Sequence, residues 1–188
     1  MIKIVLFALI SIAILPAKPT VKIKHKYYNI SVTSLSTLAN TLNEVSPVIS
    51  GQKVYHAKTI SDVKWKFYTL KYQGKCEISQ VKIWVNIQYI LPRLTNKHAT
   101  NEVYSVWDKW HNQLVLHEKG HANLAINTAK KIEEKLQKIP QSKSCKKIEQ
   151  KANRMGEKLL AQLKRANVTY DHKTKHGETQ GASLKSYL

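Results

Sequence analysis

Arginine is scarce in this chain of 188 residues, although 31 residues are lysine or arginine and only 12 are acidic. The arginines are Arg93, Arg154 and Arg165. Guanidinium groups are the ones that base and phosphate recognition favours, and the lysines are scattered along the chain without forming one patch. The net charge of +19 therefore predicts loose association with anionic envelope surfaces and no specific nucleic-acid partner.

No apolar run is long enough to cross a bilayer comfortably, since the longest, residues 4–15, has about a dozen residues and a span needs about 20. It follows one lysine and precedes Pro16 and Ala17, the pattern of a secretory signal peptide. We expect residues 1–17 to be a signal peptide cleaved near Ala17, and the mature protein to be secreted or periplasmic without a transmembrane segment. A retained N-terminal anchor is the alternative.

Cysteine is also rare, with Cys76 and Cys145 as the two thiols. An even number of cysteines in an exported protein predicts a disulfide bond. The bond would close a long loop and stabilise the fold by roughly 4 kcal/mol in the chain-entropy model. Two free thiols in a reducing compartment are the alternative.

The sequence has no internal repeats and no low-complexity tracts. Its apolar residues recur first at every second position and later, from Asn101, at steps of three and four. Residues 62–72 and 76–92 alternate apolar and polar side chains, which predicts half-buried antiparallel strands joined by a turn at 73–75. An earlier strand is predicted over 24–34 and a short helix over 34–47. The buried face of the second long strand would carry Val81, Ile83, Val85, Ile87 and Tyr89, and Pro92 would end that strand.

From Asn101 the apolar residues recur at steps of three and four, which predicts a long helix ended by Pro140. The apolar residues form a stripe along one side of this helix, and the stripe is predicted to include His117, His121, Leu124 and Thr128. A second helix, capped by Ser144, would run to about residue 167, followed by an irregular tail. The fold class is therefore α+β, a small antiparallel sheet packed on these two helices, with residues 18–188 forming one domain.

The long helix carries the sequence His-Glu-x-x-His at His117, Glu118 and His121. Residues four apart lie on one side of a helix, so both imidazoles can reach one zinc ion. Glu118 is rotated away from the ligand line and suits a general base that takes a proton from zinc-bound water. Because both histidines fall on the apolar stripe, a shared cation would satisfy them. Gly120, costly inside a helix, predicts a close approach by substrate or by another segment.

Two histidines do not complete a catalytic zinc site, which normally has three protein ligands. The metzincin class is excluded because Leu124 and Asn127 stand where it needs glycine and histidine. His176 in the tail is the favoured third ligand. The alternatives left open are Asp171, His172, Glu149 and Glu157. The isolated histidines are predicted to lie on the surface; they are His25, His56, His98 and His111.

Four features of the chain resemble a bacterial family, domain of unknown function 922, regarded as predicted secreted zinc-dependent proteases. They are "CEISQVKIWVNIQYILP", "W..W…L..HEKGH" on a long helix, a second cysteine opening the last helix, and the tail "YDHKTKHG…QGASL". The resemblance implies a zincin-like hydrolase with His117 and His121 as ligands and Glu118 as base. The family's tail pattern maps onto Tyr170, Asp171, Thr174, His176 and Gly177, which strengthens His176 as third ligand.

The sequence thus predicts a secreted zinc metallopeptidase, a hydrolase of peptide or protein substrates that uses a zinc-bound water activated by Glu118. Tyr170 or His172 could stabilise the oxyanion. One alternative is a zinc-containing envelope binding module or pseudoenzyme with a structural metal. A second alternative is a basic protein that binds anionic polymers.

Overall fold

The computed structural model describes residues 18–95 and 98–188 of the chain. The strands are β1 (Thr20–Ile30), β2 (Val48–Ser50), β3 (Lys53–Tyr55), β4 (Lys58–Tyr72) and β5 (Lys75–Leu94). The helices are α1 (Leu35–Val45), α2 (Asn101–Gln137) and α3 (Cys145–Thr174), followed by short 3-10 helices at Glu178–Gln180 and Leu184–Tyr187. The predicted α+β class is confirmed. The predicted signal peptide, residues 1–17, lies outside the described residues, so its cleavage stays a prediction.

The main sheet has the order β1-β5-β4. The predicted hairpin is confirmed, because β4 and β5 pair antiparallel. The expectation of a purely antiparallel sheet is wrong, since β1 pairs with β5 in parallel. Alternation of apolar and polar residues fixes which face of a strand is buried, but it does not fix the direction of a partner distant in sequence.

Strand β5 continues through Pro92 to Leu94, so the prediction that Pro92 ends it is wrong. The pairing with β4 stops at Ile90, and Pro92 has a partner only in β1. At this position β5 is therefore an edge strand on one side, where a residue without an N–H group is tolerated.

The core lies between the sheet and the two long helices. The predicted apolar face of β5 is buried, and α2 packs against β4 and β5. In α2 the predicted stripe is confirmed as far as His117, but it then passes through Ala122, Ala125 and Ala129 in place of Leu124 and Thr128. Small side chains at these buried positions let the neighbouring backbone come close, so the burial follows packing and not hydrophobicity alone.

The sheet and α3 are joined by the predicted disulfide, with Sγ atoms of Cys76 and Cys145 2.07 Å apart. Beside it, the backbone of Cys76 exchanges two hydrogen bonds with Ser142. Disulfides are typical of proteins that fold outside the reducing cytoplasm. None of the helices in the described residues has the length and apolarity that crossing a membrane requires.

Helix α3 runs to Thr174, seven residues beyond its predicted end, so the expectation of an irregular tail from residue 168 is wrong. The helix ends in three residues with positive φ, Lys175, His176 and Gly177. This left-handed run turns the chain back toward α2. A Cβ atom on Gly177 would come within 2.8 Å of Ala182 and 3.0 Å of the His117 ring, so glycine is needed here for space as well as for conformation.

Candidate metal centre

Helices α2 and α3 bring three potential metal ligands together: His117, His121 and Asp171. The Nε2 atoms of His117 and His121 lie 3.4 and 2.9 Å from the same oxygen, Oδ1 of Asp171. All three ligand atoms are within 4.8 Å of one another. The histidines are together because α2 places them one turn apart, and Asp171 joins them because α3 continues past residue 167 along α2.

The other ring nitrogen of each histidine is held by an amide oxygen. His117 donates its Nδ1–H to Oε1 of Gln180 over 2.9 Å, and His121 donates its Nδ1–H to Oδ1 of Asn167 over 2.7 Å. An amide oxygen can only accept, so these bonds fix the tautomer and leave both Nε2 atoms facing Asp171. Metal-binding histidines are oriented by such partners.

The three facing atoms suit a divalent cation. The two ring centroids are 5.0 Å apart and both Nε2 atoms face one carboxylate oxygen, so one shared ion can meet all three atoms. Ligand bonds of about 2.0–2.1 Å in a tetrahedron separate the donor atoms by about 3.3 Å, close to the 3.4 and 2.9 Å between the Nε2 atoms and Oδ1 of Asp171. Two imidazoles and a carboxylate are also a donor set that zinc accepts.

The charges within this cluster are strongly coupled. Burial would raise the pKa of the Asp171 carboxyl, but hydrogen bonds from His117 and His121 outweigh burial and hold this pKa well below its usual range. Burial would lower the pKa of His121, but its bonds to Asp171 and Asn167 raise it. Asp171 is therefore an ionised carboxylate at neutral pH, the form that binds a metal ion.

Glu118 lies beside the cluster and is 5% exposed. The hydroxyl of Thr59 on β4 reaches both Oε2 and the backbone carbonyl of Glu118. Burial raises the pKa of the Glu118 carboxyl, while the bond from Thr59 and the neighbouring histidines oppose that rise. A carboxylate whose pKa is raised toward neutrality is suited to accept and release a proton.

The close approach predicted at Gly120 is made by Tyr170. A Cβ atom on Gly120 would lie 2.0 Å from the Tyr170 hydroxyl oxygen, so no other residue fits without displacing that ring. Tyr170 stacks on the His117 ring with centroids 5.1 Å apart. Its hydroxyl lies within hydrogen-bond distance of the His117 carbonyl and of Oε1 of Gln180. Tyr170 is therefore a positioning residue for His117.

The other residues considered from sequence lie around this centre or away from it. Nδ1 of His176 is 4.0 Å from Oδ1 of Asp171, with the His176 side chain 53% exposed, so His176 borders the cluster. His172, Glu149 and Glu157 are exposed and lie outside it. The structure brings neither Tyr170 nor His172 into the lining of the adjoining cleft, so the suggested oxyanion role finds no support.

Sequence reasoning missed Gln180 and Asn167. For Asn167 there was a signal, because it lies four residues before Asp171 and would share its side of a longer helix. For Gln180 there was none, since its position depends on the left-handed turn after α3.

A cleft of about 940 Å³ opens over the candidate metal centre. One wall is formed by α2, α3 and the segment 182–188, and the other by the β2–β3 hairpin and the first residues of β4. In the part of the chain that the structure describes, no strand pairs with the outer edge of β4. His117, Glu118, His121 and Asp171 all reach this cleft, so a ligand in it would meet the cluster and the open strand edge together.

The chain matches a known protein-family model. The family model DUF922, described as a bacterial protein of unknown function, matches residues 25–177, which include His117, Glu118, His121, Asp171 and His176. No curated protein and no solved structure matches the chain. Because the match covers most of the chain, the protein belongs to the bacterial DUF922 family.

Proposed function

We propose that the protein is an exported zinc-dependent metallopeptidase with a zincin-like centre. The observation that carries the proposal is the convergence of two tautomer-fixed Nε2 atoms on one carboxylate oxygen, beside a buried glutamate and under an open cleft. Two histidines and one carboxylate supply the three protein ligands that a catalytic zinc ion normally has, with the fourth position open to water or substrate.

His117, His121 and Asp171 would hold the ion, and zinc would supply Lewis-acid activation of water and of a peptide carbonyl. Glu118 would accept a proton at its carboxylate and deliver it to the leaving amine. Thr59 keeps this carboxylate in place from β4. Tyr170, Gln180 and Asn167 orient the two histidines.

The substrate we propose is an extended peptide segment of a protein. The cleft is bordered by Thr59, Ile60 and Ser61 on the open edge of β4. The backbone groups of an edge strand bind an extended peptide by adding it to the sheet. A peptide bound along these residues would pass directly over Glu118, because the Thr59 side chain is bonded to Glu118.

The test compares Glu118→Gln with Glu178→Gln, a matched change at an exposed glutamate that also lines the cleft. Both variants should bind one zinc equivalent, measured by atomic emission. Hydrolysis of an unstructured protein should fall by about 10² to 10⁴ in Glu118→Gln, the usual contribution of a general base, and persist in Glu178→Gln. Undiminished hydrolysis by Glu118→Gln would refute the role of this carboxylate.

A structural zinc in a binding module is the second candidate, because His176 is close enough to Asp171 to supply a fourth ligand after a small movement. Four protein ligands would leave no position for substrate. This candidate predicts that a chelator lowers the melting temperature sharply while the zinc-loaded protein hydrolyses no peptide.

A further inference from the structure

Lysines that are scattered in the sequence share one face of the main sheet. The register pairs Lys22 with Asn86, which pairs on its other side with Asp62, and Lys24 with Gln88, which pairs on its other side with Ile60. It also pairs Lys64 with Trp84, and Lys66 with Lys82. Directly paired residues point to the same side of a sheet. We define the cationic face by its lysines, Lys22, Lys24, Lys26, Lys64, Lys66 and Lys82.

The cationic face is the solvent side of the sheet. All six lysines are exposed, while the alternate residues of β5, such as Val85 and Ile87, are buried toward α2. The acidic residues at the paired positions are Asp62, whose carboxylate lies 3.1 Å from the Lys64 ammonium, and Glu77, which pairs with Leu70. The face thus has an excess of positive charge.

Exposed apolar side chains adjoin these lysines. Ile60 is 44% exposed and also lines the cleft. Tyr68, 39% exposed, follows Lys66, and Leu70, 52% exposed, follows Tyr68 and pairs with Glu77. The ammonium groups of Lys66 and Lys82 lie 5.0 and 5.6 Å from the centre of the Tyr68 ring. Exposed aliphatic groups gain nothing from a soluble polyanion, but they are buried when a surface enters the headgroup layer of a bilayer.

We propose that the cationic face docks the protein on an anionic phospholipid membrane. The lysines contact lipid phosphates, and Tyr68 and Leu70 enter the boundary between headgroups and acyl chains. Lysine suits this role, because its ammonium is a point charge on a long apolar stem. Basic residues near an anionic membrane each add to the attraction, and salt weakens it. The proposal is independent of zinc and of Glu118.

The experiment measures co-sedimentation of the exported protein with vesicles of phosphatidylcholine containing 30% phosphatidylglycerol, a composition of about one anionic lipid in three chosen for its negative surface potential. The face variant replaces Lys22, Lys24, Lys64, Lys66 and Lys82 with glutamine. The control variant replaces five exposed lysines in α2, directly after it and in α3 with glutamine; they are Lys130, Lys131, Lys138, Lys151 and Lys158. The two variants have the same net charge and the same N terminus.

We expect the face variant to lose at least about 10-fold in vesicle affinity and the control variant less than about threefold, because electrostatic attraction falls off within about 10 Å. Equal losses in the two variants would overturn the proposal, since net charge alone would then explain binding. Equal binding of the wild type to pure phosphatidylcholine would also overturn it.

A second pair of measurements separates a membrane from a soluble polyanion. Leu70→Ser should weaken binding to the anionic vesicles and leave binding to soluble polyphosphate unchanged. If Leu70→Ser has no effect on vesicles and polyphosphate binds more tightly than vesicles do, the partner is a polymer and the membrane assignment is wrong.

Discussion

At the scale of single residues, the candidate metal centre depends on groups that differ in how well sequence reveals them. His117, Glu118 and His121 form a motif whose helical spacing can be read directly, and Gly120 signalled a close contact. The partners of the rings could not be read in this way. Gln180 and Asn167 reach the histidines through packing between elements, and no local pattern encodes that packing.

The contact between Gly120 and Tyr170 gives a prediction at this scale. Gly120→Ala should destabilise the fold by about 2 kcal/mol, because overpacking outweighs the gain in helix propensity. In a Tyr170→Ala background the same change should be stabilising by up to about 1 kcal/mol, the propensity gain alone.

Urea unfolding of the four proteins in this double-mutant cycle measures the coupling. Purely additive effects would show that Tyr170 does not restrain position 120.

A second residue, His56, was expected on the surface and is instead half-buried. Its Nε2 lies 2.9 Å from Oδ1 of Asn43, and its ring meets Trp110 edge to face. Burial lowers the pKa of His56. The unfolded chain therefore binds a proton at His56 at a higher pH than the folded protein does. The stability that the neutral ring contributes is present above pH 6.5, the ordinary pKa of histidine, and is lost as the pH falls through the lowered pKa.

His56→Gln should consequently reduce the loss of unfolding free energy between pH 7 and pH 5, measured by urea denaturation. His98→Gln, at an exposed histidine, is the matched control and should follow the wild type. The same pH dependence in wild type and His56→Gln would contradict this account.

At the scale of elements, strand faces and helix positions were predictable, while strand partners and the end of α3 were not. The alternation in β4 and β5 and the long period of α2 are local patterns. The parallel pairing of β1 joins residues more than 60 positions apart. Helix α3 continues through "NVTYDHKT" because this segment packs on α2, although its own residues are poor helix formers.

Because α3 extends to Thr174, it places Asp171 beside the two histidines, and we therefore expect Asp171 to be the third ligand. Asp171→Asn should weaken zinc binding by at least about 10²-fold, since it would remove a proposed ligand, and His176→Gln by less than about 10-fold. Competition with a chromophoric chelator measures both affinities. The reverse order would restore His176, the choice made from sequence, as third ligand and leave Asp171 in a supporting role.

At the scale of the whole molecule, the disulfide joins the beginning of β5 to the beginning of α3 across 69 residues of sequence. In the chain-entropy model a loop of this length stabilises the fold by about 4 kcal/mol. The variant with serine at both Cys76 and Cys145 should lose about this amount of unfolding free energy in urea. Adding a reductant should lower the stability of the wild type to that of the variant and leave the variant unchanged. A wild type unaffected by full reduction would contradict the prediction.

The cationic face also belongs to this scale, and sequence analysis failed to find it. Its lysines come from three strands that are not consecutive along the chain, and they meet only because the sheet order is β1-β5-β4. The expectation that the lysines form no single patch is therefore wrong. Charge that looks evenly spread along a chain can be concentrated once alternate residues of neighbouring strands share a side.

The return of the chain after α3 has a practical consequence. Gln180 holds a ring of the centre, and Leu184, Lys185 and Leu188 line the cleft. An affinity tag fused after Leu188 would start inside the mouth of the cleft. A contaminating protease that cut before Gln180 would remove the hydrogen-bond partner of the His117 ring. A purified sample that lacks activity should be checked by intact mass before the chemistry is doubted.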